Sequence, residues 1–201
     1  MARPKIDVAA MRERLFIAAE EVLRDGGPAR LTVSAVAAKL GMGQSNVYRY
    51  VRSRHHLVEL LAERWFGAIE AAVARSVADA RAPRDKIARW VIETMDQKTA
   101  YHDRDPQLFA VYLDLAKDHG RVVAAHVERL RELVAAPVAE LVGETQLRFA
   151  LDLLDDATAL FRTPHLIAIH RERLSAERAM AVVDALLLRF AALGSPDRRS
   201  P

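Results

Sequence analysis

Five polar side chains between positions 44 and 49 carry hydrogen-bonding groups that suit the edges of DNA bases. The amide of Gln44 or of Asn46 can pair with adenine through two hydrogen bonds, and the Ser45 hydroxyl can donate or accept. The ring of Tyr48 can cover a thymine methyl group, or its hydroxyl can reach a phosphate, and Arg49 adds a guanidinium to the same set. These residue types indicate recognition of a nucleic acid. The alternative interpretation is a solvated polar face.

The segment that must position these side chains, residues 31–50, predicts two short helices joined by a tight turn. Such a motif needs a small residue where the helices approach, a glycine that adopts positive φ in the turn, and apolar residues on the facing sides. Ala37 supplies the small residue and Gly41 the turn. The apolar positions spaced to form the shared core are Val36, Leu40, Met42, Val47 and Tyr50. The pattern favours a helix-turn-helix that places its second helix in the major groove, with an ordinary helical hairpin as the alternative.

The charge distribution also favours a polyanionic partner. Residues 1–60 contain 10 Lys or Arg against 6 Asp or Glu, whereas residues 61–201 contain 20 against 21. No acidic residue occurs between Asp25 and Glu59, a gap of 33 residues. An acid-free basic surface is what a polyanion requires, although a chance gap would give the same count.

Residues beside the motif are predicted to contact phosphates. Arg52, Ser53 and Arg54 follow the second short helix and lead into a long helix, whose first N–H groups have no partner within the helix. Charges and free N–H groups at this place suit phosphates better than bases. Thr32 and Ser34, at the start of the first short helix, are predicted as additional phosphate contacts.

The apolar spacing is helical almost throughout, which predicts an all-α fold. The predicted helices cover about 8–25, 33–40, 44–51, 55–81, a helix from 83, a helix from 106, and about 121–142, 146–162 and 176–193. Pro137 is expected to kink or split the helix that contains it. The long helix from about residue 55 predicts a division into a helix-turn-helix domain, residues 1–54, and a second helical domain, residues 55–201.

Residues 1 to about 65 resemble the DNA-binding domain of the tetracycline-repressor (TetR) family of transcriptional regulators. The resemblance lies in an amphipathic first helix that ends in Gly, the stretches LTVSAVAAKLGMG and VYRYVRSRHHLV, and the run into a long fourth helix. Gly43 stands where the family usually has Ser or Thr, and Val51 and Arg54 stand where it often has Phe and Lys. Gly is a tolerated N-cap and Arg keeps the charge, so the departures concern base specificity rather than DNA binding.

The resemblance implies roles for particular side chains. Its implied base-reading residues are Gln44, Ser45, Asn46 and Tyr48, and its implied DNA-backbone contacts are Arg49, Tyr50 and Arg54. It also implies a homodimeric repressor that a small molecule releases from a palindromic operator, with a ligand cavity among the middle helices and a dimer interface built by the last two helices.

The final predicted helix independently supports a second buried face, because its apolar stripe is wider than one contact face needs. The predicted dimer-interface residues are Leu147, Leu151, Leu154, Met180, Val183, Leu187 and Phe190. For the ligand cavity, large aromatic bodies with polar tips suit a mostly apolar site. The predicted ligand-binding residues are Trp90, Thr94, Met95, Tyr101, Tyr112, His126 and Phe161, with core packing as the alternative for each.

Two other classes of protein remain open, a helical enzyme and an all-helical protein-interaction module. The chain has no Cys, no H-E-x-x-H or G-x-S-x-G motif, no Gly-rich phosphate loop and no carboxylate pair spaced for a di-metal bundle. We therefore expect no catalytic residue, no metal and no cofactor. The N-terminus lacks an apolar signal region and no run of 18 apolar residues occurs, so a cytoplasmic protein is expected.

Overall fold

The computed structural model of the chain describes residues 8–194, and predictions that fall on residues 1–7 or 195–201 lie outside it. All regular secondary structure in the described range is helical, which confirms the predicted all-α class. None of the helices in that range is both long and apolar enough to cross a membrane.

Ten α-helices follow one another along the described range. Their bounds are α1 Val8–Arg30, α2 Val33–Lys39, α3 Gln44–Val47, α4 Arg54–Ala78, α5 Pro83–Arg104, α6 Pro106–Lys117, α7 Gly120–Val142, α8 Glu144–Arg162, α9 Pro164–Ile169 and α10 Ala176–Gly194. A short 3-10 helix, Arg171–Arg173, separates α9 from α10. The backbone of α1 breaks at Gly27, where φ is 69°, so the predicted stop near residue 26 is confirmed.

Two helices differ from the sequence prediction. The second helix of the predicted motif ends at Val47 instead of residue 51, because a tighter bond from the Tyr50 N–H to the Val47 carbonyl (2.9 Å) takes over at its end. The helix with Pro137 is not split, since α7 runs through it. Proline removes one N–H donor, and Val134, Pro137 and Val138 are all buried, so packing outweighs that loss.

The segment between α8 and α10, for which the sequence predicts no helix, forms α9 and the 3-10 helix. Pro164 occupies the first turn of α9, where proline is well tolerated because that N–H would have no partner within the helix. Pro164 therefore marks the start of a short helix.

The described chain divides into two compact units. The first unit runs to Trp65 and also includes Asp105–Val122, and the second comprises Phe66–Arg104 and the residues from Val123 onwards. Helix α4 contributes residues to both units. The first unit is discontinuous in sequence, whereas the predicted division at residues 54 and 55 is continuous, and that division stays a prediction about functional domains.

The core of the first unit explains why α6 belongs to it. Leu15 and Leu23 of α1, Val36 of α2 and Leu57 of α4 are buried together. Leu108 and Leu115 of α6 join the same cluster. Burial of such side chains contributes about 1.5–3 kcal/mol each, so α6 stabilises the unit that carries α2 and α3.

The second unit is built around α5, α8 and α10, which pack against one another. Its largest fully buried side chains include Trp90 of α5, Phe161 of α8 and Phe190 of α10. The Trp90 indole N–H donates to the Leu130 carbonyl of α7 over 2.6 Å, so the polar tip of this ring is satisfied inside the core.

Candidate nucleic-acid interface

The turn between α2 and α3 forms as the sequence predicts. Gly41 has φ of 64°, a conformation that glycine adopts without strain. The Met42 N–H donates to the Ala37 carbonyl over 2.9 Å, and the Ala37 side chain is buried where the helices approach. At the other end of α2, Thr32 Oγ1 accepts from the Ala35 N–H over 3.0 Å and caps the helix. The segment is therefore a helix-turn-helix in geometry.

Helix α3 presents the predicted base-reading side chains to solvent. Gln44, Ser45 and Asn46 are exposed, and the Tyr48 residue that follows the helix is 51% exposed. Val47 is buried and anchors the helix on the core of the first unit. One apolar anchor with polar residues on the other positions gives α3 a free face of donors and acceptors.

The end of α3 combines exposed and packed residues. Arg49 is exposed, whereas Tyr50 is half-buried and packs against the core of the first unit. Tyr50 was predicted both as a core residue and as a backbone contact. The half-buried ring accounts for the first role and leaves the second as a prediction.

The residues that open α4 are organised by hydrogen bonds. Ser53 Oγ accepts from the His56 N–H over 3.1 Å, so Ser53 caps the first turn of α4. The Arg52 N–H donates to His56 Nδ1 over 3.0 Å. Both Arg52 and Ser53 are exposed, so the Arg52 guanidinium stands at the N-terminal end of the helix with its charge in solvent.

Arg54 has a structural contact that the sequence did not indicate. Its Nε donates to the Leu31 carbonyl and its Nη2 donates to the Pro28 carbonyl, each over 2.9 Å. These bonds use two of the five guanidinium donors and leave the others for a phosphate. Arg54 therefore fixes the entry to α2 in addition to its predicted role.

Thr32 and Ser34, the additional predicted phosphate contacts, are both exposed. The Thr32 oxygen caps α2, and its hydroxyl hydrogen is still a donor. Both hydroxyl groups thus stay available to a ligand at the start of α2.

The basic surface of the first unit depends on arginines more than on Lys39. Lys39 forms ion pairs with Asp25 at 2.8 Å and Glu21 at 3.5 Å, both on α1. The Lys39 ammonium correspondingly lowers the pKa of Asp25. Acidic residues of α1 therefore neutralise the charge of Lys39, although the stretch between Asp25 and Glu59 contains no acid of its own. The exposed Arg49 and Arg52 carry positive charge beside α3.

Most of the predicted ligand-binding residues lie inside the second unit. Trp90, Thr94, Met95, His126 and Phe161 are buried, and Tyr101 is half-buried. Tyr112 belongs instead to the first unit, where its ring stacks on Trp65 and its hydroxyl donates to Glu20 Oε1 over 3.2 Å. The structure thus brings six of the seven into one unit and separates Tyr112, and their contact with a ligand stays a prediction.

Lys98 is a buried polar residue that the sequence pattern did not single out. Its Nζ donates to the Arg162 carbonyl over 2.7 Å, and burial lowers the pKa of Lys98 to about 7, with the charge of Arg162 acting in the same direction. Lys98 follows Thr94 by four positions and Met95 by three. That spacing places it on the same helix face as two predicted ligand residues and was the signal that could have found it.

His126 is held by an acidic partner on α4. Its Nδ1 lies 2.6 Å from Glu70 Oε1, and its ring stacks on Phe66. Burial and the nearby charge of Lys98 lower the pKa of His126 to about 4 in spite of the opposing effect of Glu70. A neutral imidazole that donates from Nδ1 to the Glu70 carboxylate is consistent with both observations.

The predicted dimer residues fall into two groups. Leu154, Val183 and Phe190 are fully buried in the core of the second unit and offer no surface to a second copy, because they pack between α8 and the helices around it. Leu151 is also buried, whereas Leu147, Met180 and Leu187 are half-buried. The exposed large apolar residues on these two helices are Phe149 of α8, 52% exposed, and Leu188 of α10, 77% exposed.

Comparison with protein families gives matches to both parts of the chain. The family of bacterial regulatory proteins known as tetR matches residues 15–61, which include α2 and α3. The family described as the tetracyclin repressor-like C-terminal domain matches residues 83–183. No curated protein sequence matches the chain significantly.

Solved structures share the fold over nearly the whole chain. A TetR-like transcriptional regulator from Rhodococcus sp. RHA1 superposes with a TM-score of 0.62 at 19% identity, covering 95% of this chain and 99% of that one. A TetR-family transcriptional regulator from Streptomyces coelicolor gives 0.61 at 18% identity, covering 91% and 97%. The regulator FadR from Bacillus subtilis, in complex with stearoyl-CoA, gives 0.59 at 13% identity, covering 90% and 98%.

Proposed function

Since the chain belongs to the TetR family of bacterial transcriptional regulators, we propose that it is a homodimeric repressor that a small molecule releases from a pseudo-palindromic operator. Double-stranded DNA is its proposed macromolecular partner. The bases are proposed to be read by Gln44, Ser45, Asn46 and Tyr48, and the phosphates to be contacted by Thr32, Ser34, Arg49, Tyr50, Arg52, Ser53 and Arg54.

The observation that carries this proposal is the solvent-exposed polar face of α3. Gln44, Ser45 and Asn46 are exposed on a helix that Val47 anchors to a hydrophobic core. Amide groups on a rigid, anchored helix match the donor and acceptor patterns of base edges in the major groove. An exposed arginine on each side of Tyr50, at positions 49 and 52, supplies charge for the flanking phosphates.

Dimerisation is proposed because one four-residue helix reads too few bases for operator specificity. A two-fold dimer places two recognition helices about 34–36 Å apart, one turn of DNA, and requires a palindromic site. The proposed interface centres on the exposed Phe149 and Leu188. Ala181, Ala185 and Ala192 are exposed on α10 at helical spacing around Leu188, and their small side chains permit close approach of a second helix.

The proposed response to a ligand uses the continuity of α4. This helix runs unbroken from Arg54, beside the proposed phosphate contacts, to Ala78 in the second unit. A ligand of the second unit that favours one position of α4 would thereby change the DNA-binding state. To weaken DNA binding tenfold, the ligand must prefer the released state by only about 1.4 kcal/mol.

The decisive experiment is selection of bound sequences from random duplex DNA with the purified full chain. We expect enrichment of a sequence with two inverted half-sites one helical turn apart. A selected sequence without inverted symmetry would contradict the dimeric arrangement, and no enrichment over the starting pool would contradict DNA recognition altogether.

The ligand is tested with the selected operator in hand. Release from DNA is followed by fluorescence anisotropy across a panel of small molecules, including stearoyl-CoA, because FadR of Bacillus subtilis forms a complex with it and shares the fold. A compound that releases the wild type but not the Thr94→Val variant would place the ligand beside α5. Thr158→Val is the matched control, since Thr158 is equally buried and also bonds its own helix.

A further inference from the structure

Three side chains with metal-binding atoms converge in the first unit, away from α3. His55 and Glu59 lie on α4, and His119 lies between α6 and α7. One ligand atom from each lies within 4.8 Å of the other two. The cluster joins residues 60 positions apart in sequence, so it exists only in the folded chain.

Helical geometry brings the first two ligands together. His55 and Glu59 are four residues apart on α4 and share a face, with His55 Nε2 3.3 Å from Glu59 Oε1. The His119 ring stacks on the His55 ring, with centroids 4.3 Å apart and planes inclined by 27°. The two imidazoles and the carboxylate therefore border one small volume.

His119 supplies the observation that points to a ligand. The residue is only 7% exposed, and its Nδ1 has no hydrogen-bond partner within residues 8–194. A buried polar atom without a partner costs about 1–3 kcal/mol, and such atoms in native proteins call for an explanation. A cation coordinated by the cluster through His119 Nδ1 would give this nitrogen the partner that it lacks.

We propose that His55, Glu59 and His119 bind a divalent transition-metal ion of the zinc class. Two imidazole nitrogens and one carboxylate oxygen form a donor set that suits Zn²⁺, Co²⁺ or Ni²⁺ better than Mg²⁺ or Ca²⁺, which prefer oxygen ligands. Three protein ligands leave one position of a tetrahedral site for water.

The geometry requires a modest contraction of the cluster. Bonds of about 2.0–2.1 Å to a tetrahedral ion place neighbouring donor atoms about 3.3 Å apart, whereas the donor atoms of the cluster lie within 4.8 Å of one another. The side chains of His55 and Glu59 are 65% and 34% exposed, so they have room to move toward the buried His119. Because His119 is partly rigid whereas His55 and Glu59 are adjustable, we expect this contraction to cost little free energy.

The site has a consequence for regulation that rests on the proposed function. His55 directly follows Arg54, one of the proposed phosphate contacts, in the first turn of α4. A bound ion would tie this turn to the junction between α6 and α7 and restrict the position of Arg54. Metal ions would then modulate DNA affinity as well as fold stability.

The test measures metal binding in the absence of DNA, so its failure and that of the proposed function are distinguishable. Untagged full-length chain is titrated with Zn²⁺ in competition with a chromophoric chelator, and with Co²⁺ for its visible absorption. We expect one ion per chain with a tetrahedral cobalt spectrum. His55→Ala and Glu59→Gln should each weaken Zn²⁺ binding at least tenfold.

His56→Ala is the matched control, because His56 is the next residue on the same helix and its Nδ1 accepts from the Arg52 N–H instead. It should bind Zn²⁺ as the wild type does. His119→Gln should lose the cobalt spectrum. If that variant fails to fold, the zinc affinities of His55→Ala and Glu59→Gln decide whether the site exists. Absence of zinc binding by the wild type, or unchanged affinity in His55→Ala and Glu59→Gln, would overturn the proposal.

Discussion

Arg54 donates a hydrogen bond from Nε to the main-chain carbonyl of Leu31 over 2.9 Å, so a proposed phosphate contact also holds the entry to α2 in place. A second bond from Nη2 reaches the Pro28 carbonyl. Arg52, two residues earlier, is exposed, and its main-chain N–H donates to His56 Nδ1. The Arg52 guanidinium takes no part in that bond. The two arginines therefore separate a structural effect from a purely electrostatic one.

Arg54→Ala should lower both the stability of the chain and its affinity for DNA. The loss of two charge-assisted bonds predicts a fall in the free energy of unfolding of about 1–3 kcal/mol, measured by urea denaturation. Arg52→Ala should leave that free energy within about 0.5 kcal/mol and reduce only DNA affinity, together with the slope of its salt dependence.

Arg173→Ala is the charge-matched control for both variants, because Arg173 is exposed in the second unit. It should leave stability and DNA affinity unchanged. Equal stability of Arg54→Ala and Arg52→Ala would show that the bonds to Leu31 and Pro28 contribute nothing measurable.

Tyr48→Ala should remove discrimination between the selected operator and a scrambled duplex. The side chain is half-exposed beside α3, so its removal should leave the fold intact, while a lost base contact costs about 1–3 kcal/mol of discrimination. Gel-shift titrations with both duplexes at two salt concentrations measure this difference. Tyr48→Phe separates the ring from the hydroxyl, and an unchanged operator preference in Tyr48→Ala would refute the base-reading role.

Local signals explain what the sequence predicted well. Gly41 in the turn and Ala37 at the helix crossing act through neighbours within ten residues, and Val47, which anchors α3 on the core of the first unit, also lies where the pattern placed it. Asp105 caps α6 through the Leu108 N–H over 2.9 Å, and Pro106 opens this helix where the sequence predicts its start. Backbone geometry and helix capping are short-range, so one sequence suffices to locate them.

The missed features depend on partners that are distant in sequence. Lys39 is neutralised by acids of α1, and Lys98 is buried against the carbonyl of Arg162, 64 positions away. The apolar stripe on α10 predicted buried residues correctly at Val183 and Phe190, but they face the core of the second unit. Periodicity gives the buried face of a helix and does not say which neighbour covers it.

Lys98→Met should remove a pH dependence of stability. Burial lowers the pKa of Lys98 to about 7, whereas the unfolded chain keeps a value near 10.5. Between these values the unfolded state binds more protons than the folded state, so the free energy of unfolding of the wild type should rise from pH 7 towards pH 10. The contribution is smallest below pH 7, where the charged amine is buried in the folded state.

Urea denaturation at several pH values between 6 and 10 measures the effect as the difference between wild type and Lys98→Met. The variant should be the more stable protein near pH 7 and should lose this advantage as pH rises. Lys117→Met is the matched control, since the Lys117 side chain is 75% exposed and should show no such difference. A pH-independent gap between wild type and Lys98→Met would mean that the Lys98 amine keeps its ordinary pKa in the folded chain.

Leu188→Glu should convert the proposed dimer into a monomer without unfolding it. Leu188 is 77% exposed in a single chain, so a polar replacement costs little stability there, but burying an unpaired carboxylate against a second copy is strongly unfavourable. Sedimentation velocity should show the wild type as a dimer and the variant as a folded monomer. The affinity for the operator should fall together with dimerisation, because the two recognition helices then bind their half-sites independently.

Ile169→Glu, at an exposed apolar residue of α9, is the control and should remain dimeric. A dimeric Leu188→Glu variant would place the interface elsewhere.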